Sequence, residues 1–204
     1  MSGGRGALVE NEGEMTHYHA RDTVVLLDSR RLERSLARIA HEIAEQTADS
    51  ESLAFVGIHD RGVELAWRLA DLFEQFNGFR PPTGSIDITF YRDDIDTRPP
   101  SLAYEQPQVK STNIPFNVQD ATIVLVDDVL QTGRTIRAAI EAIFDYGRPA
   151  AVRLAVLIDR GHRELPIRPD FVGKNVPTSR AERVIVHLVE TDGIDEVVLQ
   201  KPEA

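Results

Sequence analysis

Two adjacent acids, Asp127 and Asp128, stand directly before Val129-Leu130-Gln131-Thr132-Gly133-Arg134-Thr135, and this spacing brings two kinds of chemistry together. Hydroxyls and a glycine at the start of a helix can hold a phosphate, because a helix N-terminus presents free N–H groups and partial positive charge. The carboxylates cannot serve that phosphate. They suit the hydroxyls of a ribose, or a hydrated magnesium ion, which prefers hard oxygen ligands. A sugar phosphate satisfies both halves of the run. To work together, the acids must end a strand and the hydroxyls must open a helix. Ile123, Val124, Leu125 and Val126 form the unbroken apolar run of a strand buried on both faces of a parallel sheet. After the polar turn, Ile136, Ala139, Ile140 and Ile143 recur at helical spacing in a helix that ends near Gly147.

A second strand, Leu53 to Ile58, runs into the turn Gly57 to Gly62, which feeds a helix with Val63, Ala66, Trp67, Ala70 and Phe73 as its core face. This turn is expected to face the same crevice as Asp127 and Thr132. Ser85 to Tyr91 alternates like a strand, Ala121 to Val126 and Ala151 to Ile158 read as core strands, and Val184 to Val189 and Glu196 to Leu199 as short late ones. Such strand–helix alternation predicts an α/β fold with a parallel sheet, binding its ligands beyond the C-terminal strand ends. Arg92 to Asp120, rich in proline and charge, is too long and irregular for an ordinary connection and is expected to act as an active-site lid.

The length of 204 residues suits one compact domain. No stretch approaches the roughly 20 apolar residues of a membrane span, no signal peptide is visible, and cysteine is absent, so a cytoplasmic protein is expected. Residues 1–22 show no sustained period and are expected to be a mobile arm, with 23–204 as the domain. His17 and His19 in that arm lack further ligands, and no metal site is expected there. From Ser29 a helix buries Leu32, Leu36, Ile39, Ala40 and Ile43 and sets Arg30, Arg34, Arg38 and His41 along its other face. The net charge of -10 opposes nonspecific attraction to RNA or an anionic membrane, so any RNA binding must use a local patch.

The run around Asp127 resembles the phosphoribosyl pyrophosphate (PRPP) signature of type I phosphoribosyltransferases. Further segments narrow the resemblance to the PyrR family, the bifunctional pyrimidine operon regulators and uracil phosphoribosyltransferases: Arg38-Ile-Ala-His41-Glu42, Gly57-Ile-His-Asp-Arg61-Gly62, Asp87-Ile-Thr-Phe-Tyr91-Arg92-Asp93-Asp94, Asp159-Arg-Gly-His162-Arg163-Glu-Leu-Pro-Ile-Arg168 and Gly173-Lys-Asn-Val-Pro-Thr-Ser179. They cover most of the chain from about Leu32 to Ser179. The resemblance implies the type I phosphoribosyltransferase fold, a central parallel sheet flanked by helices, with a small hood from about 159–180.

It also implies roles. PRPP would transfer its phosphoribosyl group to uracil, giving UMP and pyrophosphate, with magnesium carried by PRPP rather than by a protein metal site. Asp60 and Arg61 would form the pyrophosphate loop, with a nonproline cis peptide near Asp60-Arg61. Arg92 would help hold the pyrophosphate. Arg61, Arg92, Asp127 and Asp128 would be the catalytic group, and Val129, Leu130, Gln131, Thr132, Gly133, Arg134 and Thr135 the rest of the PRPP site. His162, Phe171 and Val172 would lie at the base, the last two contacting it by stacking or by backbone. Members that act on purines commonly carry a lysine where Asp159 stands, which disfavours a purine.

For the second activity the resemblance implies binding of pyrimidine operon leader RNA through Arg38, His41, His162, Arg163, Arg168 and Lys174. A homodimer or a dimer of dimers would join such basic surfaces into a larger patch. Ala37 stands where the family commonly has threonine, and the loss of that hydroxyl puts one RNA contact implied by the resemblance in doubt. Two alternatives stay open: a uracil salvage enzyme with no RNA-binding role, and a nucleotide-binding regulator that has lost turnover.

Overall fold

The computed structural model describes residues 23–48, 52–91 and 111–202. The expected arm at 1–22, Arg92 and most of the expected lid lie outside the described residues. The elements in order are β1 (Thr23–Leu27), α1 (Ser29–Gln46), β2 (Leu53–Ile58), α2 (Arg61–Asn77), β3 (Thr83–Ile86), a 3-10 turn (Thr89–Tyr91), β4 (Thr122–Leu130), α3 (Arg134–Phe144), β5 (Ala151–Asp159), β6 (Phe171–Asn175), β7 (Arg183–His187), α4 (Val189–Asp192) and β8 (Glu196–Gln200).

Five strands form a parallel sheet in the order β3-β2-β4-β5-β6, so β4, which carries both aspartates, is its central strand. Its apolar run is continuous because both faces are covered. Phe55, Val124, Val126, Ala155 and Leu157 join one core with α1 and α2, through residues such as Leu36, Ile43, Leu65 and Phe73. Val56, Ile58, Ile123, Leu125 and Val156 point the other way and join a second core with Ile136, Ala139 and Ile143 of α3. Asp28 caps α1 by accepting from the Arg31 N–H at 2.8 Å, and α2 stops at Gly78, whose φ of 76° suits glycine.

Both ends of the domain meet in a second, antiparallel sheet of order β1-β8-β7, whose Leu27, Val186 and Val197 join the first core. Residues 159–180, expected as the hood, instead contribute the edge strand β6 of the parallel sheet and the loops beside it. Three further expectations need correcting. The segment Ser85 to Tyr91 is strand only to Ile86 and then a 3-10 turn, because the Asp87 carboxylate accepts from the Thr89 N–H at 2.8 Å and bends the chain. β4 does not stop at Val126: its pairing with β5 continues to Leu130 opposite Asp159. Trp67 is 55% exposed, and Leu65 and Leu69 fill the core in its place.

Candidate active site

The crevice lies at the C-terminal ends of β2, β4 and β5, where three loops converge. The loop after β2 is brought hard against β4: a Cβ on Gly62 would lie 2.5 Å from the Val126 carbonyl oxygen, so only glycine permits this approach. The cis peptide falls at His59–Asp60, one bond before the expected place. Arg61 begins α2, near enough for its charge to act on Asp128.

Asp127 is 7% exposed, and its Oδ1 accepts from the Asp128 N–H at 3.0 Å. Asp128 Oδ1 accepts from the Val129 N–H at 2.7 Å. Burial pushes both carboxyls above the ordinary range, and for Asp127 the adjacent Asp128 adds to it. For Asp128 the Val129 N–H and the Arg61 guanidinium pull in the opposite direction. Two buried carboxyls facing one crevice can accept from or donate to sugar hydroxyls according to their protonation. Among the described residues no three His, Asp or Glu side chains converge to hold a metal ion, so a magnesium ion here would need most of its oxygens from elsewhere.

Beyond them the chain turns at Gly133, whose φ of 91° is the left-handed geometry that glycine adopts freely, and α3 begins. Thr132 Oγ1 accepts weakly from the Arg134 N–H at 3.3 Å, and the Thr132 carbonyl accepts from Glu164 and Leu165 N–H at 3.0 and 3.1 Å. Thr135 is exposed in the first turn of α3, and Arg134 extends to Glu164 at 2.8 Å. Leu130 is buried and Val129 packs half-buried against the first core, so these two expected site residues face the protein.

The third loop follows β5. Arg163 reaches Asp159 Oδ2 at 2.5 Å and the Gln131 carbonyl at 2.9 Å, locking this loop to the turn before α3. A cavity of about 900 Å³ opens beside Gln131 and Arg160, with Val184, Ile185, His187 and Glu196 of the antiparallel sheet on its far wall. Val184 and Ile185 were missed as site residues because two apolar residues in a short strand carry no signal of their own. Phe171, expected at the base, is fully buried in the first core, so its ring cannot stack on a ligand. The edge strand position that pairs it with Ala155 turns it inward. Arg160 was also missed: only 6% exposed, it reaches Thr178 at 3.1 Å and the Ser179 and Glu182 carbonyls at 2.9 and 2.7 Å, holding the segment below the cavity.

The residues expected to meet RNA are spread over α1, the loop after β5 and β6. Arg38 donates to the Val172 and Gly173 carbonyls at 2.9 and 2.6 Å and pairs with Glu42. Lys174 donates to the Leu26 carbonyl at 2.9 Å, and His162 Nε2 lies 2.7 Å from the Thr178 carbonyl. The His41 ring lies flat on Phe76, with centroids 3.7 Å apart, and Arg168 is exposed.

The sequence pattern of the phosphoribosyl transferase domain family matches residues 24–186. Proteins named bifunctional protein PyrR are 55% identical in Chloroflexus aurantiacus, over 88% of this chain and 96% of that one, and 52% identical in Deinococcus radiodurans, over 87% and 94%. A solved structure of the hypoxanthine phosphoribosyltransferase of Trypanosoma cruzi superposes with a TM-score of 0.65 over 88% of this chain and 97% of that one at 17% identity, which shows the shared fold. With a domain pattern that matches residues 24–186, and with relatives this close along nearly their whole length, the chain belongs to the phosphoribosyltransferases and among them to the PyrR family.

Proposed function

We propose that the chain transfers the phosphoribosyl group of PRPP to uracil, forming UMP and pyrophosphate, and that it controls pyrimidine genes by binding their leader RNA. The observation that carries the reading is the convergence of the Asp127-to-Thr135 run and the Arg61 loop on one crevice, with the charge of Arg61 felt by Asp128. In this reading Thr132 to Thr135 hold the 5'-phosphate at the α3 N-terminus, and Asp127 and Asp128 orient the ribose hydroxyls. Arg61 and Arg92 receive the pyrophosphate through charge-assisted hydrogen bonds. Magnesium bound to PRPP would neutralise part of the charge on the leaving pyrophosphate.

The bond from C1 of the ribose to pyrophosphate breaks, a bond from C1 to the uracil nitrogen forms, and the nitrogen's proton passes to solvent. The reacting carbon acquires oxocarbenium character, by analogy with glycoside chemistry, so water must be kept out. Positioning and charge stabilisation supply the acceleration, and no side chain forms a covalent bond. Uracil would sit in the cavity beside Gln131 and Arg160, near Val184 and Ile185. Arg61→Ala tests the assignment: uracil-dependent UMP formation is expected to fall on the order of 100-fold, the scale for removing one donor to a developing charge. Unchanged turnover would overturn it.

The regulatory half rests on the family and on the basic residues Arg38, His41, His162, Arg163, Arg168 and Lys174. A dimer in the cytoplasm would double that surface against the acidic net charge. UMP in the site would favour the RNA-binding state through its differential affinity for the two states. Filter retention of leader RNA at physiological salt, with and without UMP and against an unrelated hairpin, tests this half. Binding indifferent to both sequence and UMP would leave an enzyme alone.

A further inference from the structure

Among the described residues the guanidinium of Arg61 is held from one side only. Asp192, at the end of α4 in the connection between β7 and β8, takes Nη2 at 2.9 Å through Oδ1, and through Oδ2 takes Nε at 3.3 Å and Nη2 at 3.2 Å. This is a side-on fork, and among the described residues Nη1 has no hydrogen-bond partner. The Arg61 side chain is 29% exposed, so part of it is open to solvent. Asp192 is itself fixed: its Oδ2 accepts from the Leu188 N–H at 2.9 Å and lies 3.2 Å from the Thr191 hydroxyl.

A separate clamp docks the same turn. Arg68, two helical turns along α2 from Arg61, reaches Glu190 at 2.8 Å through Nε and Asp195 at 2.8 and 3.0 Å through Nη2 and Nη1. Asp192 is therefore not needed to keep α4 on α2, since Glu190 and Asp195 already flank it. What Asp192 adds is the direction of one cation. A free arginine at the mouth of a crevice samples many rotamers, and each must be given up when an anion binds.

We propose that Asp192 is a positioning residue for phosphoribosyl transfer, which aims the Nη1 edge of Arg61 at the pyrophosphate group of PRPP. The proposal rests on the reading that Arg61 receives pyrophosphate. It brings a residue from the connection between two strands of the antiparallel sheet into a site otherwise built from the parallel one. It also means that the second sheet helps organise both ends of the substrate, the base through the cavity wall and the pyrophosphate through Arg61.

A double-mutant cycle on the full chain tests it, with KM for PRPP, KM for uracil, kcat and melting temperature measured for Asp192→Asn, Arg61→Ala and the pair. Asp192→Asn keeps an acceptor for Leu188 but loses the charged fork. It is expected to raise KM for PRPP about tenfold, within the range of coupling between contacting residues, and to leave KM for uracil unchanged. In the Arg61→Ala background the same substitution is expected to do nothing further. Asp192→Glu, which keeps the charge on a longer arm, is expected to recover part of the loss and guards against a folding defect in the asparagine variant. Glu190→Gln is expected to lower the melting temperature while KM for PRPP stays at its parental value. A parental KM in Asp192→Asn, or an equal loss with and without Arg61, overturns the proposal while the Arg61 assignment stands. If Arg61→Ala keeps full turnover, the assignment of Arg61 falls and the role of Asp192 falls with it.

Discussion

The crevice and the basic surface use charge in opposite ways. In the crevice the chemical groups are neighbours in sequence, and the backbone places them: two aspartates at the end of a central strand, then a turn, then the first residues of a helix. The expected RNA-binding residues come from α1, the 159–168 loop and β6, and most of their donors are already spent inside the molecule. Arg38 grips two carbonyls of β6, Lys174 one of β1, and Arg163 the carbonyls of Gln131, Gly161 and Ile167. A neutral carbonyl does not cancel a cation, so Lys174 keeps its positive field while losing its freedom, whereas Glu42 beside Arg38 and Asp159 beside Arg163 offset part of theirs. The difference teaches that these basic residues hold the fold together, so that substituting one to test RNA binding will also test stability.

The comparison can be broken most sharply at Gly62. A Cβ there meets the backbone carbonyl of Val126, which cannot swing aside as a side chain would, so Gly62→Ala is expected to cost about 1–3 kcal/mol. Turnover should be lost with it, as Arg61 and Asp128 move apart. Thermal melting and UMP formation check this together, and a parental value in both would show that the close approach of α2 to β4 does not build the crevice.

A medium effect separates the basic residues from one another. Arg38→Gln is expected to weaken leader RNA binding and also to destabilise the fold by about 1–2 kcal/mol, because two carbonyls of the edge strand lose a charged donor. At roughly 2–4 °C per kcal/mol for a domain of this size, the shift is measurable. Arg168→Gln, exposed, is expected to leave the melting temperature unchanged and only to lower the salt dependence of RNA binding, by about 0.7–0.9 in log–log slope for one phosphate contact. If both variants melt alike, the Arg38 clasp contributes nothing to the fold.

The smallest effect is a matter of sign with pH. Burial raises Asp127 and Asp128 above their value in the unfolded chain, so the folded state holds their protons more tightly. Their contribution to stability is full below about pH 4, the ordinary carboxylate value, and is lost as pH rises through their raised values. The clamp carboxylates behave in the reverse sense. Hydrogen bonding to Arg68 lowers Glu190, and Asp192 and Asp195 are lowered although burial opposes it, because their arginine partners outweigh the burial. That contribution is present above about pH 4 and fades as pH falls below it. Asp127→Asn is therefore expected to raise the melting temperature of the ligand-free protein at neutral pH, and Asp195→Asn to lower it. The opposite order in a pair of thermal scans would reverse the assignment of signs.

Much of this was legible before any coordinates. Ile123 to Val126 announced a strand with both faces covered, because an apolar run without alternation has no solvent face to offer. The phosphate loop was legible for a related reason: hydroxyl, glycine and helix start are local in sequence, and local geometry follows from local residue types. The cavity wall was not. Val184 and Ile185 carry no chemistry by type, and they line a cavity only because β7 pairs with β8 and β8 with β1, joining the two ends of the domain in one sheet. The resemblance put Phe171 at the base, by stacking or by backbone, yet its place on β6 turns its ring into the core.

By itself, then, the sequence determined the order of strands and helices, the turn from β4 into α3 and the family, since each depends on residues adjacent in the chain or on long stretches of identity. Only the tertiary structure decided which charges face which. Asp192 lies 131 residues from Arg61 and Gly173 lies 135 from Arg38, and no pattern of spacing predicts a partner across that distance. Such pairs form because packing the sheet against its helices brings the charges within hydrogen-bonding reach, where an unpaired polar group would be costly and a paired one aims the chemistry.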